Sequence, residues 1–213
     1  SRRVDYLTKY QNESYAARYT NLVNKIKTAE IEKTPGMKGL ADAVARYAFK
    51  LMAYKDEYEV ARLHSDGTFL EKIRQTFEGN YTLTFHLAPP LFAPRDPSTG
   101  NAKKMTFGPW LMTALKVLAR LKFLRGTPFD IFGYTAERRL ERQLIEDYLE
   151  TVEELIASLD HSNHPLAIQI AEIPESIRGY GHVKQQHIDD AETKKAALVA
   201  TLRDPSQRAA AAE

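Results

Sequence analysis

Leu40, Val44, Tyr47, Leu51, Tyr54, Tyr58 and Ala61 recur at steps of four and three residues, so on an α-helix they stack into one stripe. The stripe predicts a core-facing helix from about Leu40 to Leu63. An earlier set, Val4, Leu7, Tyr15, Tyr19, Leu22, Ile26 and Ala29, predicts a first long amphipathic helix that Pro35 and Gly36 end. So short a connection favours antiparallel packing of the two as a helical hairpin. Ser65-Asp66-Gly67 is a stop and turn, and Phe69, Ile73 and Phe77 outline a brief third helix before Gly79.

The period then changes to two. Tyr81, Leu83, Phe85 and Leu87 alternate with Thr82, Thr84 and His86, which predicts a strand with one apolar face. Pro89, Pro90 and Pro94 break it, Asp96 to Gly100 supply turn chemistry, and Lys103 to Phe107 return as the partner strand of a small hairpin lying against the helices. Gly108 and Pro109 suit the start of a helix lined by Leu111, Leu115, Leu118, Leu121, Phe123 and Leu124 and closed by Arg125-Gly126. Thr135 is a plausible cap for the longest helix of the second half, marked by Leu140, Leu144, Ile145, Tyr148, Val152, Leu155, Ile156 and Leu159. Pro165 opens a short helix, Pro174 interrupts it, and a last helix runs from His182 to about Leu202 after Gly179 and Gly181. The expected fold is mainly α, about six to seven helices with one small β-hairpin. No internal repeat interrupts residues 1–205, read as a single helical domain, and residues 206–213 form a low-complexity tail. Because the chain opens on Ser1, with Val4 and Leu7 already in a helical pattern, it reads as a fragment of a longer polypeptide.

Composition narrows the chemistry. The 213 residues contain no cysteine, so this segment has no ligands for an iron-sulfur cluster, no thiolate zinc site and no cysteine nucleophile. The same absence removes any case for a disulfide-stapled secreted scaffold, and cytoplasm is the expected compartment. The formal net charge is +2, with basic and acidic residues alternating along the helices, which argues against a nucleic-acid-binding surface. No apolar run approaches the roughly 20 residues needed to cross a bilayer.

Three groups of residues are candidates for function. Lys50, Lys55, Asp56, Glu59 and Arg62 crowd both flanks of the aromatic stripe, so neighbouring elements must cover some of them and pair them. If exposed, Lys55 with Glu59 and Asp42 with Arg46 pair along the helix surface for about 0.3 to 0.5 kcal/mol each. If covered, Lys55, Asp56 and Glu59 sit at an interface or pocket with the hydroxyls of Tyr54 and Tyr58 in the same network. The second group is the turn Arg178-Gly179-Tyr180-Gly181-His182-Val183-Lys184. Its glycines relax the backbone where a helix begins, leaving amides beside Arg178, His182 and Lys184 for a phosphate or carboxylate. The plainer reading is a tight turn in which Tyr180 plugs the core. Histidines are the third group, and none forms a good metal pair. His161 and His164 flank Asn163 in an expected exposed loop, His182 and His187 diverge around a helix, and His86 lies on the polar face of the strand. There is no Walker loop, no G-x-S-x-G, no H-E-x-x-H and no dinucleotide unit.

Five blocks taken together resemble the C-terminal domain of bacterial indolepyruvate:ferredoxin oxidoreductases. They are Lys50 to Arg62, Phe85-His86-Leu87-Ala88-Pro89-Pro90, Phe107-Gly108-Pro109-Trp110, Arg125-Gly126-Thr127-Pro128 and Ile177 to Lys184. The resemblance spans nearly the whole chain. It implies a parent enzyme that decarboxylates aryl 2-oxoacids to acyl-CoA thioesters and reduces ferredoxin, using thiamine diphosphate with magnesium and iron-sulfur clusters. In that family this domain follows the gamma-like domain, in a fused long chain or a shorter beta-type subunit. The segment departs from the whole enzyme in having no cysteine and no Gly-Asp-Gly diphosphate motif, so no cofactor residue of the family carries onto it. The expectation is an accessory domain that packs against the parent's other domains or subunits, or shapes the approach of 2-oxoacid, CoA or ferredoxin. The alternative is an anion- or CoA-binding module built on the Arg178 to Lys184 turn with Lys50 and Lys55.

Overall fold

The computed structural model describes residues 1–89, 93–94 and 103–204. In chain order the α-helices are α1 (Arg2–Tyr10), α2 (Glu13–Lys33), α3 (Leu40–Met52), α4 (Glu57–Ser65), α5 (Thr68–Thr76), α6 (Leu111–Arg120), α7 (Ala136–Ser158), α8 (His164–Ala171) and α9 (Gly181–Arg203). Two short strands, β1 (Phe85–Leu87) and β2 (Met105–Phe107), lie between α5 and α6. The fold is mainly α with one antiparallel hairpin, and among the described residues nine α-helices replace the six to seven expected.

Two side-chain caps account for the excess. The expected first helix breaks at Gln11 and Asn12, where Asn12 is extended and its Oδ1 accepts from the Tyr15 amide at 2.8 Å. Such a cap satisfies one of the orphan amides of a new helix end and starts α2 in a new direction. The expected second helix breaks between Ala53 and Asp56 for the same reason, since Asp56 Oδ1 accepts from the Glu59 amide at 2.8 Å and opens α4. Thr135 acts as expected at the start of α7, receiving the Arg138 amide at 3.3 Å.

The break after Ala53 is also the border between two compact units, one built from Ser1–Ala53 and the chain from Leu140 on, the other from Tyr54–Arg139. In the first unit α2 packs on α1 and α3, and α8 packs on α3 and α9. Its core includes Leu7, Tyr10, Tyr19, Ile26, Leu40, Val44, Met52, Val152, Leu155 and Ile170. Burying each such side chain contributes about 1.5 to 3 kcal/mol. The tyrosines reach polar partners from within it: Tyr19 Oη donates to the Ala45 carbonyl and Tyr148 Oη to that of Ala171, both at 2.9 Å.

A buried carboxylate joins three elements of this unit. Glu30, near the end of α2, accepts from the Leu40 amide at 2.7 Å, the Ala41 amide at 3.1 Å and His164 Nε2 at 2.8 Å. It therefore caps α3 from outside, where Gly39 offers no side chain. His164 is 2 % exposed, which corrects the expectation of an exposed loop. Asn163 builds the turn that turns it inward, accepting from the Asp160 amide at 2.9 Å and donating to the Ser158 carbonyl at 2.7 Å. His161 stays on the surface and meets the Pro35 carbonyl at 3.3 Å.

The second unit has a smaller core of Ala61, Phe85, Leu111 and Leu115, flanked by half-buried Phe69, Leu83, Leu87, Phe107, Met112 and Leu118. The hairpin pairs Phe85 with Phe107, His86 with Thr106 and Leu87 with Met105. The strand is shorter than the Tyr81 to Leu87 alternation predicts, because β2 offers only three residues to pair with it. His86 lies on the exposed face and shares a hydrogen bond with Thr106 Oγ1 at 3.2 Å. The turn expected at Asp96 to Gly100 lies outside the described residues. At the start of α6, Gly108 to Trp110 form a turn closed by the Leu111 amide on the Gly108 carbonyl at 3.1 Å, and a 3-10 turn over Leu121–Leu124 follows the helix.

Candidate functional site

Asp56 is the centre of the second unit's polar interior. It is 3 % exposed, caps α4, and holds the buried Arg125 guanidinium through two contacts, Nε to Oδ2 at 2.5 Å and Nη2 to Oδ1 at 2.9 Å. The paired geometry satisfies a planar guanidinium far better than a single contact does. Arg125 also lies over the Tyr58 ring, 5.6 Å from its centroid. Tyr58 Oη donates to Asp130 Oδ1 at 3.2 Å, and Asp130, itself buried, gathers the Gly126 amide at 2.9 Å and the Gly133 amide at 3.0 Å. Burial, and then the nearby Asp130 charge, push the Tyr58 hydroxyl well above the usual tyrosine range.

Two further pairs frame this network. Glu59, 1 % exposed, takes Arg62 through Nε at 2.8 Å and Nη2 at 2.7 Å, and Arg62 reaches Asp66 at 3.6 Å. Glu57 takes Arg138 in the same paired way at 3.1 and 3.0 Å. Burial works against the Arg138 charge, but the hydrogen bonds and charge of Glu57 outweigh it and raise its pKa. Lys122 moves the other way, its pKa lowered by burial and by repulsion from Arg62 and Arg125.

This arrangement rearranges the expected charge cluster. Asp56, Tyr58, Glu59 and Arg62 come together as a buried network, and Tyr54 is buried in the same unit. Lys55 is exposed, and the carboxylate expected to hold it, Glu59, holds Arg62 instead. Lys50 belongs to α3 in the first unit, where its ammonium donates to the carbonyls of Pro174 at 2.5 Å and Glu175 at 3.1 Å. A four-step pair needs an unbroken helix, and the cap at Asp56 breaks it. Arg125 and Asp130 are the members that sequence pattern did not single out. Arg125 stands in the Arg125-Gly126-Thr127-Pro128 block, but as a helix end and not as the partner of a carboxylate, and Asp130 carries no local signal beyond its place in the turn.

The network shapes what the loop after α6 displays. With Arg125 and Asp130 fixed inside, and Thr127 Oγ1 donating to the Leu124 carbonyl at 2.7 Å, Phe129, Ile131 and Tyr134 face outward at 75, 59 and 58 % exposure. Trp110, Val117, Leu121 and Phe123 are exposed as well. Of thirteen exposed large apolar side chains among the described residues, ten lie in Tyr54–Arg139.

At the second candidate, Gly179 and Gly181 take φ of +89° and +57°, and α9 starts at Gly181 without a side-chain cap. Tyr180 is 76 % exposed and does not plug the core, because as the N-cap it is extended with its ring outward. Arg178 folds back on Glu175, Lys184 holds Glu141 at 2.5 Å, and His182 is exposed. Burial and then repulsion from Arg178 lower the Lys50 pKa, with Lys184 adding to it, so these cations lie in one electrostatic neighbourhood. Among the described residues no group of three or more metal-ligating side chains is arranged around a common point, and no helix is long and apolar enough to cross a membrane.

These features define a mainly α chain of two compact units, whose second unit spends its buried charges on holding helix ends and one loop while showing apolar side chains to solvent. The chain belongs to the family of unknown function DUF6537, whose model matches residues 1–197. No curated protein and no solved structure matches it.

Proposed function

We propose that this chain is a non-catalytic accessory domain of an indolepyruvate-type 2-oxoacid:ferredoxin oxidoreductase and serves subunit packing or access to the parent's active site. The parent oxidises aryl 2-oxoacids to acyl-CoA and reduces ferredoxin, with thiamine diphosphate, magnesium and iron-sulfur clusters held elsewhere in the enzyme. One observation carries the packing role: exposed apolar side chains concentrated in Tyr54–Arg139, on a frame made rigid by buried ion pairs. Soluble monomers rarely leave a broad apolar surface uncovered unless something binds it. The link to this parent rests on the five sequence blocks, and because these 213 residues contain no cysteine the reading puts the clusters in the parent's other domains.

The test is reconstitution. Mixed with the cluster- and thiamine-bearing remainder of such an oxidoreductase, the 213-residue chain forms a stable complex in sedimentation, and alone it reduces no dye from indolepyruvate. Failure to associate, or oxoacid-dependent dye reduction by the chain alone, overturns the reading. The rival reading, an anion- or CoA-binding module using the Arg178 to Lys184 turn, predicts a salt-sensitive rise in melting temperature with CoA. A packing domain whose Arg178 and Lys184 already hold carboxylates shows none.

A further inference from the structure

Helix α6 carries two apolar faces. One, with Leu111 and Leu115, is buried in the core of the second unit. The other is exposed and runs past both ends of the helix: Trp110 just before it, Val117 within it and Leu121 just after it are 62, 55 and 36 % accessible. At roughly 100° per residue these three fall within about 40° of one another, so they form one ridge and not scattered surface residues.

A row of cations runs beside that ridge. Lys116 and Arg120, four residues apart, are both exposed and have no ion pair among the described residues. From Pro97 to Phe129 the sequence contains six basic residues and no acidic one. Elsewhere the chain spends its cations on carboxylates, in pairs such as Arg18 with Glu146 and Arg203 with Glu154. Of these six, Arg125 is paired with Asp56 inside, whereas Lys116 and Arg120 have no carboxylate partner among the described residues, and the chemistry that supplies one is an acidic row.

We propose that this face of α6 docks an acidic amphipathic helix of a partner protein. An apolar ridge flanked by a parallel charged row is the pattern by which two helices pack ridge into groove, with the charges at the edge setting partner and orientation. The apolar positions of the partner helix cover Trp110, Val117 and Leu121, and its carboxylates lie against Lys116 and Arg120. This deepens the packing reading above by assigning the contact to one face and the partner to one charge type. It does not depend on which enzyme supplies the helix.

Trp110 is the single tryptophan of the chain and sits on the ridge, so it reports directly on occupancy. The full chain is titrated with a leucine-faced helical peptide bearing glutamates, with its lysine-bearing counterpart, with anionic phospholipid vesicles and with a single-stranded oligonucleotide. The acidic peptide is expected to shift Trp110 emission to the blue. Val117→Glu with Leu121→Glu weakens that binding at least tenfold, and Lys116→Glu with Arg120→Glu transfers the preference to the basic peptide. Circular dichroism and melting of the variants confirm that they remain folded, since all four side chains point to solvent. No shift, equal shifts with both peptides, or a response only to vesicles or to the oligonucleotide overturns the proposal. So does a blue shift that grows with protein concentration alone, which means a second copy covers the face. If the oxidoreductase remainder binds wild type and the Val117→Glu, Leu121→Glu variant equally, this proposal fails and the packing reading stands. If the acidic peptide binds and the remainder does not, the reverse holds.

Discussion

Asp56 serves Arg125 and the first turn of α4 with the same carboxylate, pairing with the guanidinium through both oxygens while accepting the Glu59 amide on one of them. Both side chains are about 4 % exposed. A buried pair contributes little over an apolar replacement, but losing one member strands the other charge without water. Arg125→Ala is therefore expected to lower unfolding stability by about 3 to 5 kcal/mol. Asp56→Asn keeps a capping oxygen and isolates the charge-pair loss, whereas Asp56→Ala adds about 1 kcal/mol for the cap. The double alanine variant costs less than the sum of the singles. Urea unfolding followed by Trp110 fluorescence, which lies in the same unit, measures each. Additive losses mean that the two side chains do not act as a pair.

Glu30 performs the matching task in the first unit, where its carboxylate receives two amides of α3 and the imidazole of His164. Glu30→Ala leaves those donors buried without an acceptor, at about 1 to 3 kcal/mol for each such group. Amide hydrogen exchange separates its two roles. In Glu30→Ala the Leu40 and Ala41 amides exchange faster, while in His164→Ala the carboxylate remains and those amides stay protected. Equal exposure of both amides in the two variants means that His164 positions the carboxylate as well as neighbouring it.

The contrast between these two carboxylates shows what hydrophobic periodicity conveys. All seven stripe residues from Leu40 to Ala61 are buried, as their spacing predicts, yet six of them belong to two separate helices, Tyr54 lies in the break between, and the set is divided over two compact units. Burial follows from apolar spacing; continuity depends on where a cap competes with the helix. Asn12 and Asp56 carry the capping signal, and Asp56 has a glutamate three residues on, but within a strong periodic run a single polar residue is easily read as a flank. The β-hairpin, the α7 cap at Thr135 and the short helix at Pro165 were legible because turn chemistry and period change together there. Arg125 and Asp130 were not. Their partners lie about 70 residues away in sequence, with separations of 69 and 72, and nothing local to a loop states which distant carboxylate or phenol it will meet. The exposed ridge of α6 was hidden for a related reason, since Leu121 reads as one more lining residue of the Leu111, Leu115 and Leu118 stripe, yet it is 36 % exposed beside Val117, which that stripe does not include.

Tyrosines give the pH dependence. Burial, and then nearby charge, raise the Tyr148 hydroxyl above its ordinary value of 10.0, and Tyr58 shifts in the same direction. A raised pKa means that the folded chain keeps a proton the unfolded chain releases. The stability these groups contribute is therefore complete below pH 10 and is lost as pH rises from there toward the folded values. Each such tyrosine removes about 1.4 kcal/mol per pH unit over that window. In alkaline titration, part of the tyrosinate absorbance of the 11 tyrosines is expected to appear only with loss of helical circular dichroism. The variant with Tyr58→Phe and Tyr148→Phe titrates in fewer such steps and loses stability less steeply above pH 10. Full titration of all tyrosines with the helical signal intact contradicts this.

Gly39 separates backbone strain from crowding. It takes φ of +120° immediately before α3, and a Cβ there stands 3.2 Å from Ile168 Cδ1 of α8. Gly126 has a φ of +76° but nothing within 4 Å of a Cβ. Alanine at either position is held in a conformation that L-residues avoid, at about 1 to 3 kcal/mol. Only at Gly39 must a half-buried neighbour also move. Gly39→Ala is thus expected to destabilise more than Gly126→Ala, with an additional shift of about 1 kcal/mol from overpacking. Ile168→Val removes the methyl group that Gly39→Ala meets. Combined with Gly39→Ala it recovers the crowding share and leaves the strain share, whereas with Gly126→Ala it recovers nothing. Melting temperatures of the four variants decide the matter, and equal losses at the two glycines mean that Ile168 yields freely.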